Sequence, residues 1–355
     1  MGGQIRARRV AVATLAIAAV LAAPPAAQAF SKAIWGPVTR NGVNQFPLYR
    51  QLGVSIYQAD LPWAEVATRR PADPTNLADP AYRWPVQIQQ AITQAKRLHM
   101  RVLLQIVGAP TWANGGHPWQ WAPTRPGDYA AFAAAAAREY PSVHLWMVWG
   151  EPNNSLNFAP LVGAQPGAQL NPAQRAAPHL YARMLDATYA ALKRVSRSNL
   201  VIGGCTYTTG ALDTQQWIQN LRLPNGKPPR MDLYAHNPFS RIAPDFSDPP
   251  SPFGEVQFSD LPRMAGWIDR YLHRGLPIFL SEWAIPTAPD QQFDFSVSPK
   301  MAASWITDAM RLSRRWRRIY GLGWVQLYDN PPTSQAGLLT AGGRRKPGFR
   351  AFARG

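Results

Sequence analysis

VHLWMVWGEPNN, residues 143–154, runs from apolar residues into a lone acid and then directly into turn residues. The near-continuous apolar run has the character of a strand buried on both faces, as strands of parallel sheets are. Gly150, Pro152, Asn153 and Asn154 end it, so Glu151 stands where a strand gives way to a loop. A second stretch repeats the plan: PIFLSEWAIPT, 277–287, carries an apolar run into Glu282.

Outward from these two, short apolar or β-branched runs alternate with segments of helical period. The spacing predicts strands over 33–36, 54–61, 102–107, 144–150, 200–206, 231–235, 278–281 and 322–327. Helices are predicted over 46–52, 85–98, 127–140, 178–195, 214–221, 260–274, 299–316 and 347–353. Tyr181, Met184, Leu185, Thr188, Leu192 and Val195 fall along one face at spacings of three and four. Eight strand–helix repeats imply a parallel sheet, because each return crossover needs a helix and takes one hand. The closed solution is a single (β/α)8 TIM barrel over residues 30–355, with long βα loops at 62–85, 157–178 and 237–262. An open doubly wound sheet would carry a glycine-rich phosphate turn after its first strand, and GPVTRNG at 36–42 does not resemble one.

Residues 1–29 stand apart. Arg6, Arg8 and Arg9 precede an apolar run over 10–23, and Ala27-Gln28-Ala29 offers small residues for cleavage, the pattern of a secretory signal peptide. Its run of about 14 apolar residues is shorter than the roughly 20 a spanning helix needs. The expectation is therefore a secreted protein without stable membrane insertion. Cys205 is the chain's one cysteine, so no intrachain disulfide can form and stability rests on the core. The formal charge is +17, and removing the segment's three arginines leaves +14. The sharpest basic cluster, RLSRRWRRIY at 311–320, lacks the features of a nucleic-acid motif and reads as a solvated helix end, although the overall charge suits an anionic partner.

Reactive groups of such a barrel sit at the carboxyl ends of its strands, where Glu151 and Glu282 lie. An acid beyond an apolar strand is costly unless paired, hydrated or functional, and two facing acids raise the pKa of one of them. Glycosidic cleavage needs that pair, one carboxylic acid to protonate the leaving oxygen and one carboxylate to attack the anomeric carbon. The plainer alternative is that each Glu meets an Arg in a salt bridge. Trp63, Trp112, Trp119, Trp121, Trp149 and Trp283, in or beside βα loops, are candidate platforms for the C–H face of a sugar. The six histidines are not spaced as metal ligands, and neither a nucleophile elbow nor a phosphate-cradling loop is present, so no metal and no cofactor are expected.

The ordered set LPW (61–63), APTW (109–112), WGEPN (149–153), HNPF (236–239), SEW (281–283) and WVQLYD (324–329) resembles the clan A glycoside hydrolases, most of all families 39 and 5. The resemblance implies a retaining enzyme acting on a β-linked poly- or oligosaccharide, with Glu151 as acid/base and Glu282 as nucleophile. It implies Trp324 as the platform of the cleavage subsite, with His236 lining it and Tyr234 on the same strand face. Trp63, Trp112, Asn153 and Trp283 complete the expected substrate contacts. A monomer acting on a carbohydrate, possibly an anionic one, is expected. Three departures stand out. Gly150 replaces the Asn that contacts the sugar 2-hydroxyl, Gln58 replaces an Arg that supports the nucleophile, and Phe239 replaces a tyrosine. These departures also fit a carbohydrate-binding barrel with little or no turnover.

Overall fold

The computed structural model describes residues 30–252 and 254–355, so the expected signal segment lies outside the described residues. Eight strands form a closed parallel barrel: β1 (Ser31–Trp35), β2 (Ile56–Pro62), β3 (Arg101–Val107), β4 (Leu145–Val148), β5 (Leu200–Tyr207), β6 (Leu233–Asn237), β7 (Ile278–Trp283) and β8 (Ile319–Trp324). Each pairs with its sequence neighbours, and β8 closes on β1 from Ser31↔Gly321 to Ile34↔Trp324. The helices are α1 (Phe46–Gln51), α2 (Val86–Arg97), α3 (Pro126–Glu139), α4 (Pro172–Val195), α5 (Thr214–Asn220), α6 (Leu261–Tyr271), α7 (Pro299–Arg315) and α8 (Pro347–Arg354). The fold is the (β/α)8 barrel, and the open-sheet alternative falls with the ring closure.

Most elements differ from the periodic reading by a few residues at an end, and three of the shifts have a local cause. α4 starts at Pro172 rather than at 178, because Asn171 and Gln174 form a reciprocal capping box and Pro172 suits the first helical turn. Pro178 therefore sits inside the helix. β8 begins at Ile319, which pairs with Ile278, and the chain has left the ladder before Gln326. β4 stops at Val148, because Trp149 (φ 64°) and Glu151 (φ 45°) take left-handed backbone. The loops also hold single helical turns, Trp63–Val66 and Thr111–Asn114.

Two apolar layers stabilise the ring. Ala33, Ile56, Leu103, Met147, Ile202, Ala235 and Phe279 fill the barrel, and a larger layer lies between strands and helices. Fully burying one such large aliphatic or aromatic side chain contributes about 1.5–3 kcal/mol. Inward and outward positions alternate along each strand, so in β6 Leu233, Ala235 and Asn237 face in while Tyr234 and His236 face the helices.

The rim where β4 stops is held from behind by two helix tyrosines. Tyr129 of α3 donates its hydroxyl to Ile106 O at 2.6 Å and accepts from Trp149 N at 3.2 Å. Tyr181 of α4 donates to Val148 O at 2.8 Å and accepts from Gly204 N at 3.0 Å. Both rings are buried, so these hydroxyls serve main-chain groups that water does not reach. Gly204 has φ 83° and a Cβ there would lie 2.6 Å from the Tyr234 ring, so the position excludes a side chain on two grounds.

Tyr181→Phe removes the donor to Val148 O and the acceptor of Gly204 N together. The expected cost is about 1–3 kcal/mol, read as a lowered urea midpoint with an unchanged slope.

Candidate active site

Glu151 is carried into the barrel mouth by the left-handed turn that ends β4. The Trp149 ring is buried, its Nε1 donates to Asn157 O at 2.8 Å, and its edge meets Phe158 at 5.4 Å between centroids. Asn154 N donates to Glu151 O at 2.9 Å, closing the turn. The carboxyl group then receives two amides: Asn237 Nδ2 on Oε1 and Asn157 Nδ2 on Oε2, each at 2.9 Å.

Glu282 is placed by a bulge in β7. Leu322 of β8 faces Leu280 while Trp324 faces Trp283, so Ser281 and Glu282 together oppose Gly323. A bulge of this kind re-aims a side chain. A Cβ at Gly323 would collide with Ser281 O, so glycine is what lets the bulged carbonyl approach. That carbonyl accepts Trp35 Nε1 at 3.1 Å and Gln58 Nε2 at 2.9 Å.

Asn237, at the inward-facing end of β6, ties the two acids together. While its Nδ2 holds Glu151, its Oδ1 accepts Glu282 N at 3.1 Å and Ser281 Oγ at 2.5 Å. Neither glutamate meets a cation among the described residues, so the salt-bridge reading does not hold. Burial holds Glu282 well above the usual carboxylate range, with the charges of Glu151 and Asp60 adding to it. Burial also raises Glu151, against the opposing pull of its asparagine amides. Asp60, at the end of β2, is open to the cleft yet walled in by the rim, and the loss of surrounding water lifts it to about 6. The arrangement can hold one proton between two carboxyl groups and offer the other as a carboxylate.

Several expected contacts lie elsewhere. Tyr234 and His236 share a face as parity requires, but it is the outer one: His236 Nδ1 contacts Thr206 Oγ1 at 2.8 Å and Nε2 contacts Val256 O at 2.8 Å. Tyr234 is buried with its hydroxyl 3.2 Å from Thr206 Oγ1. Trp324 is 1% exposed, donates to Ala336 O at 3.0 Å and packs edge-on against Trp283, itself fully buried, so neither ring presents a face to the cleft. Trp63 is 1% exposed and stacks on Phe132 behind the rim. Trp112 is half-buried, donates to Ala67 O at 2.7 Å and lies under Arg70. Asn153 is buried as a clamp, accepting Tyr207 N at 2.8 Å and donating to Leu212 O at 3.1 Å.

Asn157 and Asn237 hold Glu151, Asp60 acts on Glu282 through its charge, and half-buried Trp35 meets the carbonyl just before Glu282. Asn237 carried a readable signal: it follows Ala235 by two and so shares its inward face. Gln58, where an Arg was expected, braces the β7 bulge instead of touching Glu282. Phe239 sits with Tyr207 and Phe293 at centroid distances of 5.9 and 5.5 Å. They line a cavity of about 180 Å³ beside Glu151, with Arg241 at its edge. Among the described residues no cluster of three or more acids, histidines or cysteines could hold a metal ion, and no helix is long and apolar enough to cross a membrane.

No family model matches the sequence, and no curated protein matches it. Solved structures share the fold. A family 39 glycoside hydrolase from Bacteroides cellulosilyticus WH2 superposes with a TM-score of 0.65 at 17% identity, over 92% of this chain and 63% of its own. A monomeric β-xylosidase from Caulobacter crescentus CB15 gives 0.63 at 17%, over 94% and 69%. A Bacteroides uniformis β-glucuronidase 2 gives 0.56 at 10%, over 92% and 35%. The chain thus spans less than two thirds of the first of these proteins.

Burial holds His236 near pH 4, below its ordinary 6.5, so the unfolded chain takes up a proton in that window before the native one does. Stability therefore falls as pH drops from about 6.5 towards 4. His236→Gln is expected to lose this part of the acid sensitivity, roughly 2 kcal/mol between pH 7 and 5, in urea titrations at the two pH values.

Proposed function

We propose that this chain is a secreted retaining glycoside hydrolase that cleaves β-linked oligo- or polysaccharides by double displacement. The observation that carries the reading is the pair Glu151 and Glu282, held at the carboxyl face of the barrel by one asparagine and left without a counter-cation. Glu282 attacks the anomeric carbon as the glycosidic C–O bond breaks, and Glu151 gives its proton to the leaving oxygen. In the second step Glu151 takes a proton from water, whose oxygen forms the new bond to the anomeric carbon as the Glu282 ester bond breaks. Both carboxyl groups then return to their starting states.

The cavity beside Glu151, with Tyr207, Phe239 and Phe293, suits the apolar face of a flanking sugar. Arg241 at its edge pairs with Asp294 at 2.7 Å and gives an anionic sugar a place to compete for a cation. The shared fold with proteins described as a β-xylosidase and a β-glucuronidase puts neutral and acidic β-pyranosides first among substrates to try. A second reading, a binding barrel with little turnover, draws support from the Glu282 carboxylate, which accepts no hydrogen bond from the described residues.

Glu282→Gln is expected to lower turnover of the best substrate in such a panel by roughly 10³-fold or more while the fold persists, because the nucleophile is gone. Reducing-end release together with circular dichroism checks this, and unaltered release would leave the binding-barrel reading in place. Turnover needs Glu282 ionised and one proton left on the pair, so the pH profile of kcat/KM should be a bell displaced to the alkaline side of ordinary carboxylates. Asp60→Asn removes a negative neighbour of Glu282, which lowers its pKa and moves the acid limb to lower pH. A limb that stays in place in that variant would count against the coupling.

A further inference from the structure

Gly150 has no side chain where an amide beside the acid/base would be useful, and its backbone does not require glycine. Its neighbours Trp149 and Glu151 have φ of 64° and 45°, but Gly150 is not in the left-handed region. What a side chain would have to displace is the end of Gln105. A Cβ built on Gly150 would collide with Gln105 Nε2 and lie 3.4 Å from its Cδ. Gln105 is an inward-facing residue of β3, level with Asp60 on one neighbouring strand and Met147 on the other. Its amide rises into the volume that a residue-150 side chain would take. The Oε1 end is turned towards Cys205 Sγ at 4.0 Å, and Sγ lies 3.5 Å from Ser281 Oγ, which donates to Asn237. The Nε2 end donates to no protein group among the described residues, and it is not a sealed orphan, so it faces the cleft.

We propose that Gln105 supplies, from the neighbouring strand, the amide that contacts the sugar hydroxyl next to the anomeric carbon, and so selects glycosides in which that hydroxyl is free. The inference rests on the glycosidase reading of Glu151 and Glu282. A contact there strengthens in the transition state, so it acts on kcat as well as on binding. Positions 105 and 150 compete for one volume, so a side chain at 150 has to displace the Gln105 amide from its place.

The test compares Gln105→Met, which keeps the volume and removes the donor, with Gln105→Ala, Gly150→Asn and the double variant Gln105→Ala/Gly150→Asn. The probes are 4-nitrophenyl β-D-glucoside and β-D-xyloside and their 2-deoxy counterparts. Gln105→Met should lower kcat/KM on the hydroxylated probes by roughly 10- to 100-fold and on the 2-deoxy probes by less than about threefold. Gly150→Asn alone should be impaired by the collision, and the double variant should recover at least about tenfold over Gln105→Ala on the hydroxylated probes. Equal losses on both probe classes, or a double variant no better than the worse single one, would overturn the role of Gln105 even with Glu282→Gln inactive. A binding arm covers a wild type that is slow on these aryl glycosides: Gln105→Met should weaken 1-deoxynojirimycin, which carries the hydroxyl, about tenfold by calorimetry and leave isofagomine, which lacks it, unchanged. A wild type that neither turns over the probes nor binds either iminosugar would overturn this proposal together with the glycosidase reading.

Discussion

The barrel mouth depends on the side-chain amide of Asn237. Its nitrogen holds the Glu151 carboxyl group and its oxygen takes the main chain of Glu282 and the hydroxyl of Ser281, so one planar group fixes β4's output against β7's. An amide carries its donor and its acceptor on separate atoms of one plane, so it can donate to an acid and accept from a backbone N–H and a hydroxyl at once. A carboxylate there would repel Glu151, and a cation would pair with it and hold it ionised. The rest of the rim serves this geometry. Tyr129 and Tyr181 brace the broken end of β4, and Gly323 yields to the β7 bulge.

The site is also an electrostatic exception within its own molecule. The chain carries a formal charge of +17, yet the described acids in the mouth have no basic partner. Surface arginines spend themselves on other pairs, such as Arg230 with Asp186 and Arg318 with Asp269. Two half-buried carboxyl groups without a cation cannot both stay ionised cheaply, and burial together with their mutual repulsion holds both above the usual carboxylate range.

Much of this was legible in the sequence, and the exceptions share one cause. The repeat of apolar runs and helical segments, and the two acids at strand ends, follow from periodicity and composition, which local residue types determine. Facing does not. The family pattern makes Trp324 a sugar platform and its place beside Glu282 makes Trp283 another, but parity with Leu322 in β8 and the bulge in β7 turn both towards the helices. The family pattern points to His236, whereas strand parity with Ala235 puts Asn237 inside. Gly150 read as a missing amide because its neighbour in space, Gln105, is 45 positions earlier and invisible to any local window.

The clamped carbonyl of Ser281 has a consequence for traffic. Trp35 and Gln58 both close on it from across the ring, and beneath them Met147, Phe279 and their neighbours fill the barrel bore. The floor of the site is therefore solid, and access is from the carboxyl face. In the proposed double displacement, the water that releases the sugar from Glu282 then enters from the same face by which the departing half of the substrate leaves. Departure and hydrolysis would be forced into sequence, and how quickly the leaving group clears that face would set the pace of the proposed cycle.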